Sequence, residues 1–195
     1  SSNVNKIIIG LKPNKKRGIE EIMNDNNIDS NIQNELILRS KYALQCITLT
    51  CIHAAPGIID EFRYNAVITA ILDLYSLWSI LPTEEEYISL CDMFISPCIA
   101  SLATAVEKDI LWKPLNHKLL MLTREKKQYV RIVAIRALKK LFVEVGEEYL
   151  IMLPECISFL SELLEDHSDE VVTLAGELIR FIEELSGEKL ESYLQ

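Results

Sequence analysis

The C-terminal half of the chain repeats itself at an interval of 41 residues. A shift of 41 places Ala134 on Ala175 and Gly146 on Gly187. The same shift aligns further positions: Val130 with Val171, Leu138 with Ile179, Leu141 with Ile182, Glu147 with Glu188, Leu153 with Leu194, Leu119 with Leu160 and Leu122 with Leu163. Self-similarity at a period of 20–50 residues is typical of stacked arrays, in which each unit buries its apolar face against its neighbours.

Each repeat contains residues that typically start and end two helices. Pro114 and Pro154 are predicted to start the first helix of a unit, and Gly146 and Gly187 to end the second. Proline in the first turn and glycine just past the last turn is the preferred arrangement at helix ends. Two helices in about 40 residues are typical of HEAT and armadillo arrays. The sequence therefore predicts an all-α protein, a HEAT-like α-solenoid of antiparallel helix pairs.

The chain divides into three regions by pattern. Residues 111–195 are predicted to form two C-terminal HEAT repeats, and residues 29–110 irregular helical repeats without a detectable 41-residue echo. Residues 1–28 form a basic, loop-rich leader with the run KPNKKR at 12–17, which is either a solvated linker or a localisation or RNA-contacting segment.

Helical periodicity also places elements within the irregular region. It predicts helices over 31–53 and 58–80, and a further helix capped by Thr83 and followed by three glutamates. Pro97 lies inside the next helical pattern, 87–106, and we expect a kink or a break there.

Charge is strongly segregated along the chain. The net charge is −9, yet residues 113–140 hold nine basic groups and only Glu125 as an acid, whereas residues 141–195 hold two basic and 14 acidic groups. Two explanations stay open: the block contacts phosphate or an acidic partner, or it complements the acidic final unit. The candidate surface comprises Lys113, Lys118, Arg124, Lys126, Lys127, Arg136, Lys139 and Lys140. Arg131 occupies a position where HEAT units often carry an arginine that pairs along the ladder of turns.

The helix predicted over 129–145 is apolar on more than one side. Its main stripe runs from Val130 through Leu138 to Val145, while Ile132 and Val143 lie nearly opposite. Two interpretations stay open for Ile132 and Val143. They either pack against a neighbouring repeat or form a ridge that docks another protein.

Several classes of function lack support. The chain contains none of the nucleophile-elbow, P-loop, dinucleotide-binding or zinc-protease patterns, and its histidines and five cysteines follow no metal-ligand spacing. We expect no enzyme, no cofactor, no small-molecule substrate and reduced, structural thiols. The acids Glu162, Glu165, Asp166, Asp169 and Glu170 are expected to surround a solvated turn. No apolar run reaches about 18 residues, so a membrane span is not predicted.

A family resemblance rests on runs within about 95–195. They are Leu111-Trp112-Lys113-Pro114-Leu115-Asn116, Thr123-Arg124, Val130-Arg131, Val145-Gly146-Glu147-Glu148-Tyr149-Leu150, Leu153-Pro154-Glu155, FLSELLED at 159–166 and Ser192-Tyr193-Leu194. Together they resemble the extreme C-terminus of the HEAT-repeat-containing protein 1 family, which is also that of U3 small nucleolar RNA-associated protein ten. We therefore expect a C-terminal piece of a much longer protein, an expectation to which the absence of an initiator Met also leads.

The resemblance implies a role without implying an active site. Members of this family are very large helical subunits of the eukaryotic small-subunit processome, linked also to transcription of ribosomal DNA. A non-catalytic scaffold in the nucleus and nucleolus is thus implied, with other processome subunits as partners and pre-rRNA or U3 small nucleolar RNA as further ones. The alternatives are a HEAT adaptor from a nuclear transport receptor or phosphatase scaffold, and a protein whose main activity is RNA binding.

Overall fold

A computed structural model describes residues 30–190 except 54, 56 and 107, together with Tyr193. The predicted leader, 1–28, lies outside the described residues. The α-helices are α1 (Ser30–His53), α2 (Glu61–Leu77), α3 (Glu84–Leu90), α4 (Ser96–Val106), α5 (Asp109–Leu122), α6 (Gln128–Val145), α7 (Leu153–Leu164) and α8 (Asp169–Ser186). A π-helical segment, Cys91–Ile95, joins α3 to α4, and 3₁₀ segments cover Trp78–Ile80 and Gly146–Met152. No strand occurs among the described residues, and the predicted all-α fold is confirmed.

Local sequence signals set several of the helix ends. Asp60, Thr83 and Ser168 are N-caps whose side chains accept a hydrogen bond from a backbone N–H in the first turn of α2, α3 and α8. Such a bond satisfies one of the donors that a helix start leaves unpaired. Gly146 and Gly187 follow α6 and α8 with φ of 75° and 73°, a conformation that favours glycine. The prediction that Gly146 and Gly187 end the second helix of each unit is confirmed.

The two repeat prolines behave differently. Pro154 lies in the first turn of α7, as predicted. The prediction that Pro114 starts a helix is wrong, because α5 begins at Asp109 and Pro114 lies inside it. The missing N–H of Pro114 leaves the Ile110 carbonyl without its helical donor. Both residues are exposed, so water can reach that carbonyl.

Pro97 does not break its helix. The backbone remains helical from Glu84 to Val106, but a π-turn precedes the proline, and the Ser96 N–H donates to the Cys91 carbonyl five residues back. A π-turn of this kind absorbs one extra residue within a helix. The regular α hydrogen bonding is thus interrupted where the sequence predicted a kink or a break, while the helix itself continues.

The helices stack in two layers. α1, α4, α6 and α8 follow one another in contact in one layer, and α2, α5 and α7 do so in the other. The chain alternates between the layers, so that α5 with α6 and α7 with α8 form hairpins joined by short connections. α6 therefore contacts α4 on one side and α8 on the other, as expected for stacked repeats.

The helix Glu84–Val106 has the length and hydropathy of a membrane span, which contiguous apolar runs in the sequence did not reveal. Its position in the fold suggests another role. α4 packs against both α1 and α6, and its side chains Cys98, Ile99 and Leu102 are buried. High hydropathy is expected of a helix enclosed by protein on several sides, so we interpret it as the central core helix.

Candidate interaction surface

Four of the nine cations of the basic block pair with acids about one repeat away, namely Arg124, Arg131, Arg136 and Lys139. Arg124 Nε donates to Glu162 Oε2 at 2.7 Å, and Lys139 Nζ lies 3.1 Å from Glu177 Oε2; each pair is 38 residues apart in sequence. Arg124 lies in the turn after α5 and Lys139 in α6, whereas Glu162 lies in α7 and Glu177 in α8. These contacts favour the internal explanation of the charge segregation, in which adjacent units complement one another.

Arg131 joins the turns of two successive hairpins. Its Nη2 donates to Asp166 Oδ1 at 2.8 Å, its Nε lies 2.8 Å from Asp166 Oδ2, and its Nη1 donates to the carbonyls of Glu125 and Lys126. The ladder pairing predicted for Arg131 is confirmed. A hydrogen bond between two charged groups is stronger than one between neutral groups.

The sequence predicted that Asp166 lies at a solvated turn, and this prediction is wrong. Its side chain is 12% exposed and also accepts the Ser168 N–H at 2.9 Å. Partial burial alone would raise the pKa of the Asp166 carboxyl, but the hydrogen bonds from Arg131 and the Ser168 N–H outweigh it, and the pKa lies below its ordinary value.

Arg136 contacts units on both sides of its own. Nη1 donates to Asp92 Oδ2 at 2.7 Å in the π-helical segment, and Nη2 lies 3.8 Å from Glu170 Oε1 in α8. Asp92 precedes Arg136 by 44 residues, close to one repeat length. The same spacing of contacts thus extends into the region where the sequence shows no 41-residue echo.

Four lysines of the block have no ion pair within the described part of the chain: Lys113, Lys118, Lys126 and Lys127. Lys113 and Lys118 lie on α5, about 140° apart around its axis, and Lys126 lies in the turn before α6; all three are exposed. Lys127 is also exposed and has its ammonium 5.3 Å from the Tyr129 ring centroid. Lys140 pairs with Glu144 within α6. The positive surface open to a partner is thus smaller than the sequence predicted.

The proposed docking ridge on α6 does not form. Ile132 is 2% exposed and belongs to the core, so it cannot contact a partner protein, and including it among the docking residues was wrong. The reason is that α6 lies between α4 and α8 and is also contacted by α3 and α5. Val143 remains 50% exposed. The inter-repeat interpretation therefore applies to Ile132.

A buried polar cluster surrounds Asn116. The sequence did not predict this cluster, since Asn116 was considered only as part of a family motif. Asn116 is fully buried. Its Nδ2 donates to Glu155 Oε2 at 2.8 Å, and its Oδ1 accepts the Tyr149 hydroxyl at 3.2 Å and lies 3.5 Å from Cys156 Sγ. Burying such polar groups costs free energy unless they are hydrogen-bonded. The one available signal was an amide on the apolar side of a helix.

The described residues hold no group of His, Cys, Asp and Glu side chains arranged to bind a metal ion. All five cysteines are free, and only Cys46 is exposed. Burial raises the pKa of the Cys51 thiol to about 11 and that of Cys156 to about 12. Protonated, enclosed thiols pack as small apolar groups rather than act as nucleophiles.

Comparison with known proteins identifies the family. No family model matches the chain. It is 33% identical over 165 residues to HEAT repeat-containing protein 1 of Danio rerio, covering 85% of the chain, and 33% identical over 153 residues to that of Homo sapiens, covering 78%. It is also 32% identical over 118 residues, 59% of the chain, to U3 small nucleolar RNA-associated protein 10 of Schizosaccharomyces pombe.

The matched regions form a small part of each relative. They span 8% of the Danio rerio protein and 7% of the human and Schizosaccharomyces pombe proteins. The repeat pattern and turn pairing of the hairpins α5–α6 and α7–α8 fit HEAT units. The chain belongs to the family of HEAT repeat-containing protein 1, of which it represents one region.

Proposed function

We propose that this chain is a non-catalytic HEAT-repeat scaffold segment of a ribosome-biogenesis factor, acting in the nucleolus within the small-subunit processome. Its relatives named for association with U3 small nucleolar RNA carry the proposal. The continuous core and the ion pairs between successive units support a rigid structural role, since they hold the hairpins in one arrangement. Other processome proteins are the main partners in this proposal.

Crosslinking and mass spectrometry of purified native particles, containing the full-length protein, tests the scaffold role. A lysine-reactive reagent can reach the exposed Lys113, Lys118, Lys126 and Lys127. We expect crosslinks from this region to other ribosome-assembly proteins. Crosslinks only to transport receptors or phosphatase subunits, or none to any assembly factor, would contradict the proposal.

A secondary RNA contact is proposed for the exposed lysines of the basic block. Lys126 and Lys127 occupy the turn between α5 and α6, with no ion pair among the described residues. Lysines that approach phosphates release counterions, so binding weakens as salt rises. Replacing both by Glu should reduce affinity for pre-rRNA fragments and flatten the salt dependence. A matched control reverses Lys108 and Arg180, two exposed cations elsewhere. Equal losses in both variants, or no RNA binding at all, would contradict a specific contact.

A further inference from the structure

A groove of about 780 Å³ lies along the outer side of the last hairpin. One wall follows α7 and contains Leu153, Ile157, Ser161 and Glu165 at four-residue spacing. At 1.5 Å per residue these twelve steps extend about 18 Å, or more than three helical turns. The groove is therefore long enough for a short helix.

The opposite wall is formed by Glu188, Leu190 and Tyr193. Glu183 Oε1 accepts the Leu190 N–H at 2.8 Å, and Glu183 Oε2 lies 2.8 Å from Lys189 Nζ, so α8 holds Lys189 and Leu190 in place. Leu190 is 2% exposed, whereas Tyr193 is 58% exposed, and both line the groove. Leu190, which contributes to the apolar floor of the groove, is thus held in place by its hydrogen bond to Glu183 in α8.

The rim of the groove is acidic. Glu165 and Glu188 line it, are exposed, and have no ion pair among the residues that the structure describes. Glu162 also lines it and pairs with Arg124. Residues 141–195 carry 14 acidic and two basic groups, so the surrounding field is negative as well. An apolar floor with a carboxylate rim favours a ligand that is apolar on one side and cationic on the other.

We propose that this groove binds a basic amphipathic helix of a partner protein. Leucine-like side chains at positions i, i+3 (or i+4) and i+7 would enter between Ile157 and Tyr193, and lysine or arginine residues would meet Glu165 and Glu188. Helix-in-groove recognition has this arrangement of anchors and flanking charges. Nucleic acid does not suit the site, because its phosphates would face carboxylates. The inference deepens the proposed scaffold function by defining the chemistry of one docking partner.

Peptide binding to the 195-residue chain tests the inference. The probe is a synthetic 14-residue helical peptide with leucine on one face and lysine on the other, labelled for fluorescence anisotropy. We expect it to bind, and we expect the double variant Glu165→Lys with Glu188→Lys to bind about tenfold more weakly. Glu125→Lys with Glu184→Lys is the control, since it reverses two exposed acids outside the groove; it should change affinity less than twofold.

Two comparison peptides complete the test. Replacing lysine by glutamate should abolish binding, and scrambling the leucine and lysine positions should weaken it, because the apolar face is lost. Equal affinity for the acidic or scrambled peptide, equal losses in the two protein variants, or self-association of the chain through this groove in sedimentation would overturn the proposal. The measurement uses no ribosomal component, so it is independent of the crosslinking test of the scaffold role.

Discussion

At the residue scale, the buried side chains Asn116 and Trp112 form hydrogen bonds that connect successive elements. Asn116 joins α5 to Tyr149 in the 3₁₀ segment and to Glu155 in α7. Trp112 Nε1 donates to the Ala103 carbonyl at 3.0 Å, which links α5 to α4. Each bond replaces hydration that burial removes. Polar groups inside the array thus specify which surfaces meet, while apolar contacts supply most of the burial.

Replacing Asn116 by alanine should lower the unfolding free energy by about 2–3 kcal/mol, because the Tyr149 hydroxyl and the Glu155 carboxylate lose a buried partner. Urea denaturation followed by circular dichroism measures the change. The control Asn65→Ala removes an exposed amide and should stay within about 0.5 kcal/mol of the parent. A comparable loss in both variants would contradict the role given to the Asn116 cluster.

Thiol reactivity should follow burial. In the folded chain, a charged aromatic disulfide reagent should modify one of the five cysteines rapidly, namely Cys46, since the other four are buried. Burial also raises the pKa of the Cys98 thiol to about 12, so very little thiolate forms at neutral pH. After unfolding in denaturant all five should react. Rapid reaction of two or more thiols in the folded protein would refute this assignment.

At the element scale, helix ends that depend on neighbouring residues could be predicted from sequence. Thr83 followed by Glu84, Glu85 and Glu86 marks the start of α3, since the hydroxyl accepts the Glu86 N–H and the acids face the positive end of the helix dipole. The interior position of Pro114 could not be predicted this way. It depends on packing of α5 against α4, α6 and α7, which holds the turn before the proline helical.

Replacing Thr83 by alanine should lower the unfolding free energy by about 1 kcal/mol, the usual cost of losing an N-cap hydroxyl. Thr83→Ser retains the acceptor and serves as the matched variant, with most of the stability kept. Thermal or urea unfolding distinguishes the two. If alanine and serine are equally stable, the cap does not contribute.

At the scale of the whole molecule, the 41-residue echo and the charge segregation describe the same arrangement. The echo predicted the stacked hairpins α5–α6 and α7–α8, and complementarity with the acidic final unit was one of the two explanations that the basic block left open. Which cations pair and which stay exposed could not be predicted, since it depends on how successive units are rotated. Arg136 shows this, because the carboxylates that it pairs with, Asp92 and Glu170, belong to the two neighbouring units. The groove beside α7 could not be predicted either, because it depends on where Glu188, Leu190 and Tyr193 lie relative to α7.

Arg124, Arg131, Arg136 and Lys139 of the basic block hold adjacent repeats together. Two triple variants of equal charge change test this claim by urea unfolding: Arg131, Arg136 and Lys139 to Glu, and Lys113, Lys118 and Lys126 to Glu. The first set should lose about 2–4 kcal/mol, since its members pair across units and Arg131 is only 14% exposed. The second should remain within about 0.5 kcal/mol of the parent. Equal stability of the two variants would contradict the claim.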